Sequence, residues 1–309
     1  MAYTTIDDPS AYFQNVLWTG DGSAGNAVTF DGNSDMQPDF VWSKRRDVGY
    51  GHVLKDTSRG GTSNNDVHLV SNTTAGDSTY TAYRMDFNSD GFTLDGSGDS
   101  GFQANGTSMV SWSWKANGGT TSTNTDGSTN TTVQANTDAG FSIVTFTTDG
   151  GNETYGHGLG VKPDVVLVKS RSGAGTWIFT TDVIDGSVDY LILNATNAAA
   201  DLSYGAFTSS TFQYNDNNAV TQVAYCFAEK QGYSKFGKYV GNGNVNGPFV
   251  YTGFQPAWIL LKRTDSTSGG NWHIIDNKRS ASGGANVNVY TLFPNLDAAE
   301  STGEAASTY

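Results

Sequence analysis

The side chains able to do chemistry are few and do not assemble into a recognisable set. The chain has four histidines, His52, His68, His157 and His273, and no two of them share metal-ligand spacing. His157 stands in Gly156-His157-Gly158-Leu159-Gly160, where a turn histidine bonded to backbone is a better reading than one facing a ligand. Asp56-x-x-Arg59 recurs as Asp276-x-x-Arg279, while the second copy has Thr181 where the Asp belongs and no matching Arg. That pattern suits a structural ion pair closing a turn more than acid catalysis. Glycoside hydrolysis would need two carboxylates about 5–9 Å apart across a cleft. The many aspartates lie mostly in Gly-rich turns, where Asp is common for backbone reasons, and no pair stands out.

Other candidates fail on chemistry. Asp95-Gly96-Ser97-Gly98-Asp99 and Asn124-Thr125-Asp126-Gly127-Ser128 resemble calcium loops loosely, but neither carries the terminal bidentate acid. Gly241-Asn242-Gly243-Asn244 lacks the Lys-Ser/Thr and helix of a phosphate loop. Cys226, the one cysteine, can form no intrachain disulfide and reads as a small buried hydrophobe beside Tyr225 and Phe227. The expectation is therefore no catalytic residue, no metal ligand and no cofactor.

Composition narrows the class. Among 309 residues, 17 Lys and Arg stand against 30 Asp and Glu, a net charge of -13. Nucleic-acid binding normally needs a basic stripe to neutralise phosphates, and no run of Lys or Arg exists. No stretch approaches the ~20 apolar residues of a membrane span. Met1 to Asn15 is polar and acidic, without the basic start and apolar core of a signal peptide. Synthesis in a cytoplasm is expected, with any route outward non-Sec or inside a particle.

The elements that would position these residues come in repeats, the first thing to look for in such a chain. Met36-Gln37-Pro38-Asp39-Phe40-Val41-Trp42-Ser43-Lys44 aligns with Val161 to Lys169 and with Phe254 to Lys262. A preceding block, Val16 to Gly22, aligns with Val144 to Gly150 and with Gly237 to Gly243. Both blocks shift by 93 positions from the second copy to the third (150 to 243, 163 to 256). Trp177 matches Trp272, and Leu69 to Asn72 matches Leu191 to Asn194 and Leu292 to Asn295. Phe87-x4-Phe92 matches Phe207-x4-Phe212, and Val110 to Trp114 matches Val223 to Phe227. The third copy has no counterpart of these last two blocks, so it reads as incomplete, to be finished by further chain or by a neighbour.

Each block predicts a strand. The apolar run after the proline suits a strand buried on both faces, with Pro at its start and Lys and Arg reaching solvent at its end. Val110, Trp112 and Trp114 alternate with Ser111 and Ser113, as in a half-buried strand. Gly20-Asp21-Gly22, Asp149-Gly150-Gly151 and Gly241-Asn242-Gly243 predict tight turns. The fold class is all-β: tandem β-sandwich or jelly-roll-like modules, the third incomplete. The predicted bounds are 1–116 for module 1, 117–139 for a Gly/Ser/Thr/Asn-rich linker, 140–230 for module 2 and 231–309 for module 3. Trp112, Trp114, Trp177, Trp258 and Trp272 recur at matched positions, so they are expected in each module's own core rather than on sugar-stacking surfaces.

The strings MQPDFVWSKRR, SNTTAGDSTYTAYRMDFNSDGFTL, VSWSWKANGG, GHGLGVKPDVVLVKSR, VAYCFAEKQGYSKFGKYVGNGN and YTGFQPAWILLKRTDS resemble a repeated β-domain of marine bacteriophage virion structural proteins, predicted to be tail-fibre-like. The resemblance covers nearly the whole chain and carries no catalytic residues. It implies a non-enzymatic virion protein, a tail fibre or tail-associated appendage that positions or forms a host-contact surface. It also implies other virion proteins as partners, a homo-oligomer (a trimer, by analogy with phage fibres), and a host cell-surface glycan or protein as target. Nucleic acid and membrane insertion are not expected. A capsid-decorating or head-fibre protein, a polysaccharide-degrading tail enzyme and a secreted bacterial adhesin are the alternatives.

Overall fold

A computed structural model describes residues 3–60, 67–96, 101–216, 218–244, 246–266, 270–279 and 290–302. The first module holds β1 (Phe13–Thr19), β2 (Asn26–Val28), β3 (Phe40–Arg45), β4 (Val53–Asp56), β5 (Val67–Val70), β6 (Ser78–Thr79), β7 (Met85–Phe87), β8 (Phe92–Leu94) and β9 (Ser108–Trp114). They form a sheet ordered β1-β9-β3-β4-β5-β6 and a smaller one ordered β2-β8-β7. The second module holds β10 (Ser122–Asn124), β11 (Thr131–Asn136), β12 (Phe141–Thr147), β13 (Asn152–Gly156), β14 (Val165–Ser170), β15 (Ile178–Thr181), β16 (Asp189–Ile192), β17 (Ala200–Asp201), β18 (Thr211–Asn215) and β19 (Thr221–Phe227). Its large sheet runs β10-β11-β12-β19-β14-β15-β16-β17, with β13-β18 as the small one. The order β12-β19-β14-β15-β16 repeats β1-β9-β3-β4-β5 strand for strand. The third module contributes β20 (Trp258–Lys262) and β21 (Trp272–Asp276), a two-stranded antiparallel ladder. The only α-helix among the described residues is the four-residue α1 (Thr57–Gly60). The all-β, sandwich-like class read from the repeats is what the chain adopts.

Alternation along the central strands feeds two cores at once. Phe40 and Trp42 of β3 enter a core shared by all three modules, whereas Val41 enters a core inside the first module. On β19, Val223 and Tyr225 face the shared core, and Ala224 and Cys226 face one inside the second module. This corrects the half-buried expectation for β9, where Met109 to Trp114 are all buried. Ser111 accepts a hydrogen bond from the Trp18 indole at 2.9 Å and lies 2.8 Å from the Ser43 hydroxyl. The tryptophans are core residues, but the core they build lies between the modules rather than within each one. Trp42, Trp112, Trp114, Trp177 and Trp272 are all buried there, with Trp258 half-buried against it.

The three modules meet in a cyclic pattern. Matched backbone bonds close it: Asp77 N to Arg171 O (2.7 Å), Ala199 N to Thr264 O (2.8 Å) and Glu300 N to Arg46 O (2.8 Å). Matched indoles follow the same order, with Trp177 Nε1 donating to Val70 O at 3.0 Å and Trp272 Nε1 to Ile192 O at 2.9 Å. His52 occupies the third such place, fully buried, with its Nδ1 accepting from the Trp42 indole at 3.0 Å. Each module therefore leans on the next, and the last leans on the first.

Several local expectations are corrected. Lys44 and Lys169 do not reach solvent; both are fully buried, and their ammonium groups donate to Arg45 O and to Thr74 O and Ser170 O. Burial pulls both amines down to about 8. The stretch 117–139 is not a free tether: β10 and β11 extend the second large sheet. Its polar composition suits an edge hairpin, and Gly118 and Gly119, both at positive φ, wrap their amides around the Asp39 carboxylate at 2.9 and 2.7 Å. The block 237–243 is not a strand. β1 and β12 are each held by β9 or β19, and no such strand exists in the third module among the described residues. Accordingly β20 is half-exposed throughout, whereas β14 of the same repeat is fully buried. Val240, Phe249 and Tyr251 stand 85%, 88% and 72% exposed in the preceding segment.

Candidate functional site

The groups the sequence brings forward are structural. Asp56 Oδ1 accepts from the amides of Ser58 and Arg59, capping α1, while Oδ2 takes the Arg59 guanidinium at 2.5 Å. Asp276 and Arg279 repeat the arrangement. These are the turn-closing ion pairs expected from the spacing, and both are buried. His157 is fully buried; its Nδ1 accepts from the Leu159 amide at 3.1 Å and its Nε2 lies 3.3 Å from Thr208 O. Burial lowers its pKa, so the ring is a neutral turn residue. Cys226 is buried, and its thiol is pushed up to about 12 by that burial. Of the two loose calcium-loop matches, Asp95 pairs with Arg84 at 3.6 Å, and Asn124 donates to Asp126 at 3.0 Å. Ser97 to Asp99 fall outside the described residues.

What the sequence did not bring forward is an open cleft of about 570 Å³ in the second module. Three chain regions build it: the loop between β14 and β15, the β16–β17 edge with the turn after it, and the connection from β18 to β19. Tyr190, Tyr204 and Tyr214 supply its aromatic walls, and Asp201, Asn215 and Asp216 its polar groups. Tyr190 is placed by alternation on β16: Leu191 faces the shared core, so Tyr190 faces the other way. The Tyr204 hydroxyl is tied to Asn215 O at 3.3 Å, and Asp216 accepts from Gln222 at 3.1 Å. Burial raises the pKa of Tyr204 and, more strongly, of Tyr214, helped in both by the nearby Asp216 charge. Both phenols are thus neutral donors over any ordinary pH range.

The matching place in the first module is packed. His68, the first-module counterpart of Tyr190, is buried, with the Tyr83 ring 4.8 Å away. Tyr83 in turn packs on Phe102 at 5.1 Å. The recurring tryptophans gave no hint of the site because they mark what the copies share. The useful signal was divergence at aligned positions: Tyr190, Tyr204 and Tyr214 stand where the first copy has His68, Arg84 and Leu94.

Comparison with known proteins places the chain without assigning it a role. A family model described as a domain of unknown function (DUF7483) matches residues 8–308. The chain belongs to the DUF7483 family. That one match spans all three modules, in keeping with their shared core. No curated protein and no solved structure matches the DUF7483 chain. Among its described residues no helix is long and apolar enough to cross a membrane.

Proposed function

We propose that this DUF7483 chain is a structural protein of a bacteriophage virion, a tail fibre or tail-associated appendage whose second-module cleft contacts a host cell-surface glycan. The virion part rests on the resemblance of the repeated strings to phage structural proteins. The recognition part rests on one observation, the tyrosine-walled cleft formed where the modules differ. Aromatic faces accept the C–H faces of sugars, and carboxylate and amide groups beside them bond hydroxyls, the mix of apolar wall and few polar groups typical of ligand sites. The shared core adds stiffness, which suits a part that presents a surface. Other virion proteins, or copies of this chain, are the expected partners, and the β20 edge offers main-chain groups for such pairing. The reading includes no reaction, because the resemblance it rests on carries no catalytic residues.

Immuno-gold labelling of intact virions tests the location: label on tails is expected, and label on capsid facets would favour a decoration protein instead. Binding of purified chain to host envelope polysaccharide, measured by calorimetry, tests the cleft. Tyr190→Ala and Tyr204→Ala are each expected to weaken binding at least tenfold, about 1.4 kcal/mol. Release of new reducing ends from that polysaccharide would overturn the non-enzymatic reading.

A further inference from the structure

Beside the cleft, three carboxylates converge that no basic side chain among the described residues neutralises through an ion pair. Oxygens of Asp185, Asp189 and Asp201 all lie within 4.8 Å of one another. Asp189 and Asp201 are direct partners in the β16–β17 register, and like charges opposite each other on a ladder repel. Asp185 comes from the turn before β16, where its Oδ1 accepts from the amide and hydroxyl of Ser187 at 2.9 and 2.6 Å. Asp185 and Asp201 are exposed, but Asp189 is only 3% exposed, and its Oδ2 has no hydrogen-bond partner among the described residues. A buried, unpartnered carboxylate oxygen is costly unless something completes it. The ammonium of Lys238 is bonded to the Ile184 carbonyl.

We propose that Asp185, Asp189 and Asp201 form a binding site for a hard divalent cation, calcium in the first instance. Two oxygens bound to one calcium at about 2.3–2.6 Å lie no more than about 5 Å apart, and every pair in this cluster falls within that span. An all-carboxylate donor set suits calcium, magnesium or manganese rather than zinc or copper. The outward faces of Asp185 and Asp201 leave room for the waters that calcium keeps. The second module can host such a site because Thr181 and Ile184 stand where the first has Asp56 and Arg59, so no guanidinium reaches this end of its sheet. Asp201 also lines the glycan cleft, so a bound cation would brace that wall. The cation site nevertheless stands on its own, whether or not the cleft binds sugar.

The experiment uses chelator-treated full chain. Calcium is titrated from micromolar to 10 mM, with thermal unfolding and calorimetry as readouts and sodium chloride at matched ionic strength as control. The expected result is saturable binding with a one-to-one stoichiometry and a midpoint that rises by several degrees. Asp189→Asn should abolish the response while unfolding in chelator no earlier than the natural chain, because it removes a repelled carboxylate. Asp126→Asn, in an exposed loop elsewhere, should leave the response intact. A shift equalled by sodium chloride, or one preserved in Asp189→Asn, overturns the proposal, as does the absence of saturable binding.

Discussion

The Tyr225 hydroxyl donates to Asp56 Oδ2 at 2.6 Å, joining the second module to the first across 169 positions of chain. Asp56 simultaneously holds Arg59, whose second arm reaches Asp77 at 2.8 Å; Asp77 in turn takes Arg171 of the second module. The matched relationship at another junction is Trp112 Nε1 donating to Asp276 Oδ2 at 2.9 Å. An ion pair that the spacing assigns to a turn is thus also the polar centre of a module junction.

Removing either partner of Asp56 should therefore be costly, to different degrees. Burial opposes the charge of Arg59, but Asp56, Tyr225 and Asp77 more than compensate and hold it protonated. Arg59→Met leaves a buried carboxylate without its counter-ion and is expected to cost roughly 3–5 kcal/mol. Tyr225→Phe removes one hydrogen bond to a charged group and is expected to cost about 1.5–3 kcal/mol. Urea unfolding of both variants checks the order; equal or negligible losses would show that the network does not bear on stability.

The shared core predicts that the modules melt together. Trp272→Ala empties a fully buried site lined by residues of the second and third modules and should cost roughly 3–5 kcal/mol. Differential scanning calorimetry should show one transition, displaced downward as a whole. A new low-temperature peak, with the main one unmoved, would mean that the third module unfolds by itself.

The histidines give a pH dependence of definite sign. Burial lowers the pKa of His52, further depressed by Lys44 and Arg279, and burial with Lys262 lowers that of His273 to about 4. Below pH 6.5 the unfolded chain binds protons that the folded rings refuse, so their contribution, present above 6.5, is lost as pH falls toward 4. Ring proton shifts followed by NMR from pH 8 to 4.5 should show His273 still mostly neutral at pH 5. A midpoint near or above 6.5 for either ring would contradict its burial.

Cys226 should be inert in the native state. With the thiol buried and its pKa near 12, almost no thiolate is present at neutral pH. Ellman's reagent at pH 8 is expected to label it only in denaturant or at the rate of unfolding. Rapid stoichiometric labelling of folded protein would require a reachable sulfur.

Much of the architecture was legible in spacing. The apolar runs after Pro38 and Pro163 became β3 and β14, and the shared offsets became shared strand order. The Asp-x-x-Arg spacing became ion pairs because three positions bring Arg59 and Arg279 back over a capped turn. Lys44 was misread because a charged residue ending a strand ordinarily reaches solvent; here a neighbouring module covers it. The cleft was invisible because Tyr190, Tyr204 and Tyr214 have no shared period, and their loops converge only through the β13–β18 and β16–β17 pairings.

Periodicity, proline positions and repeat offsets are local quantities, and they sufficed for most strands of the first two copies and for the all-β class. Which faces meet is a different question, because alternation says only that a residue points to one side of its strand. Whether that side meets its own module or a neighbouring one depends on how the three sheets close on each other. Packing thus moved the tryptophans to the inter-module core, buried Lys44 and Lys169, and brought Asp185, Asp189 and Asp201 to one point.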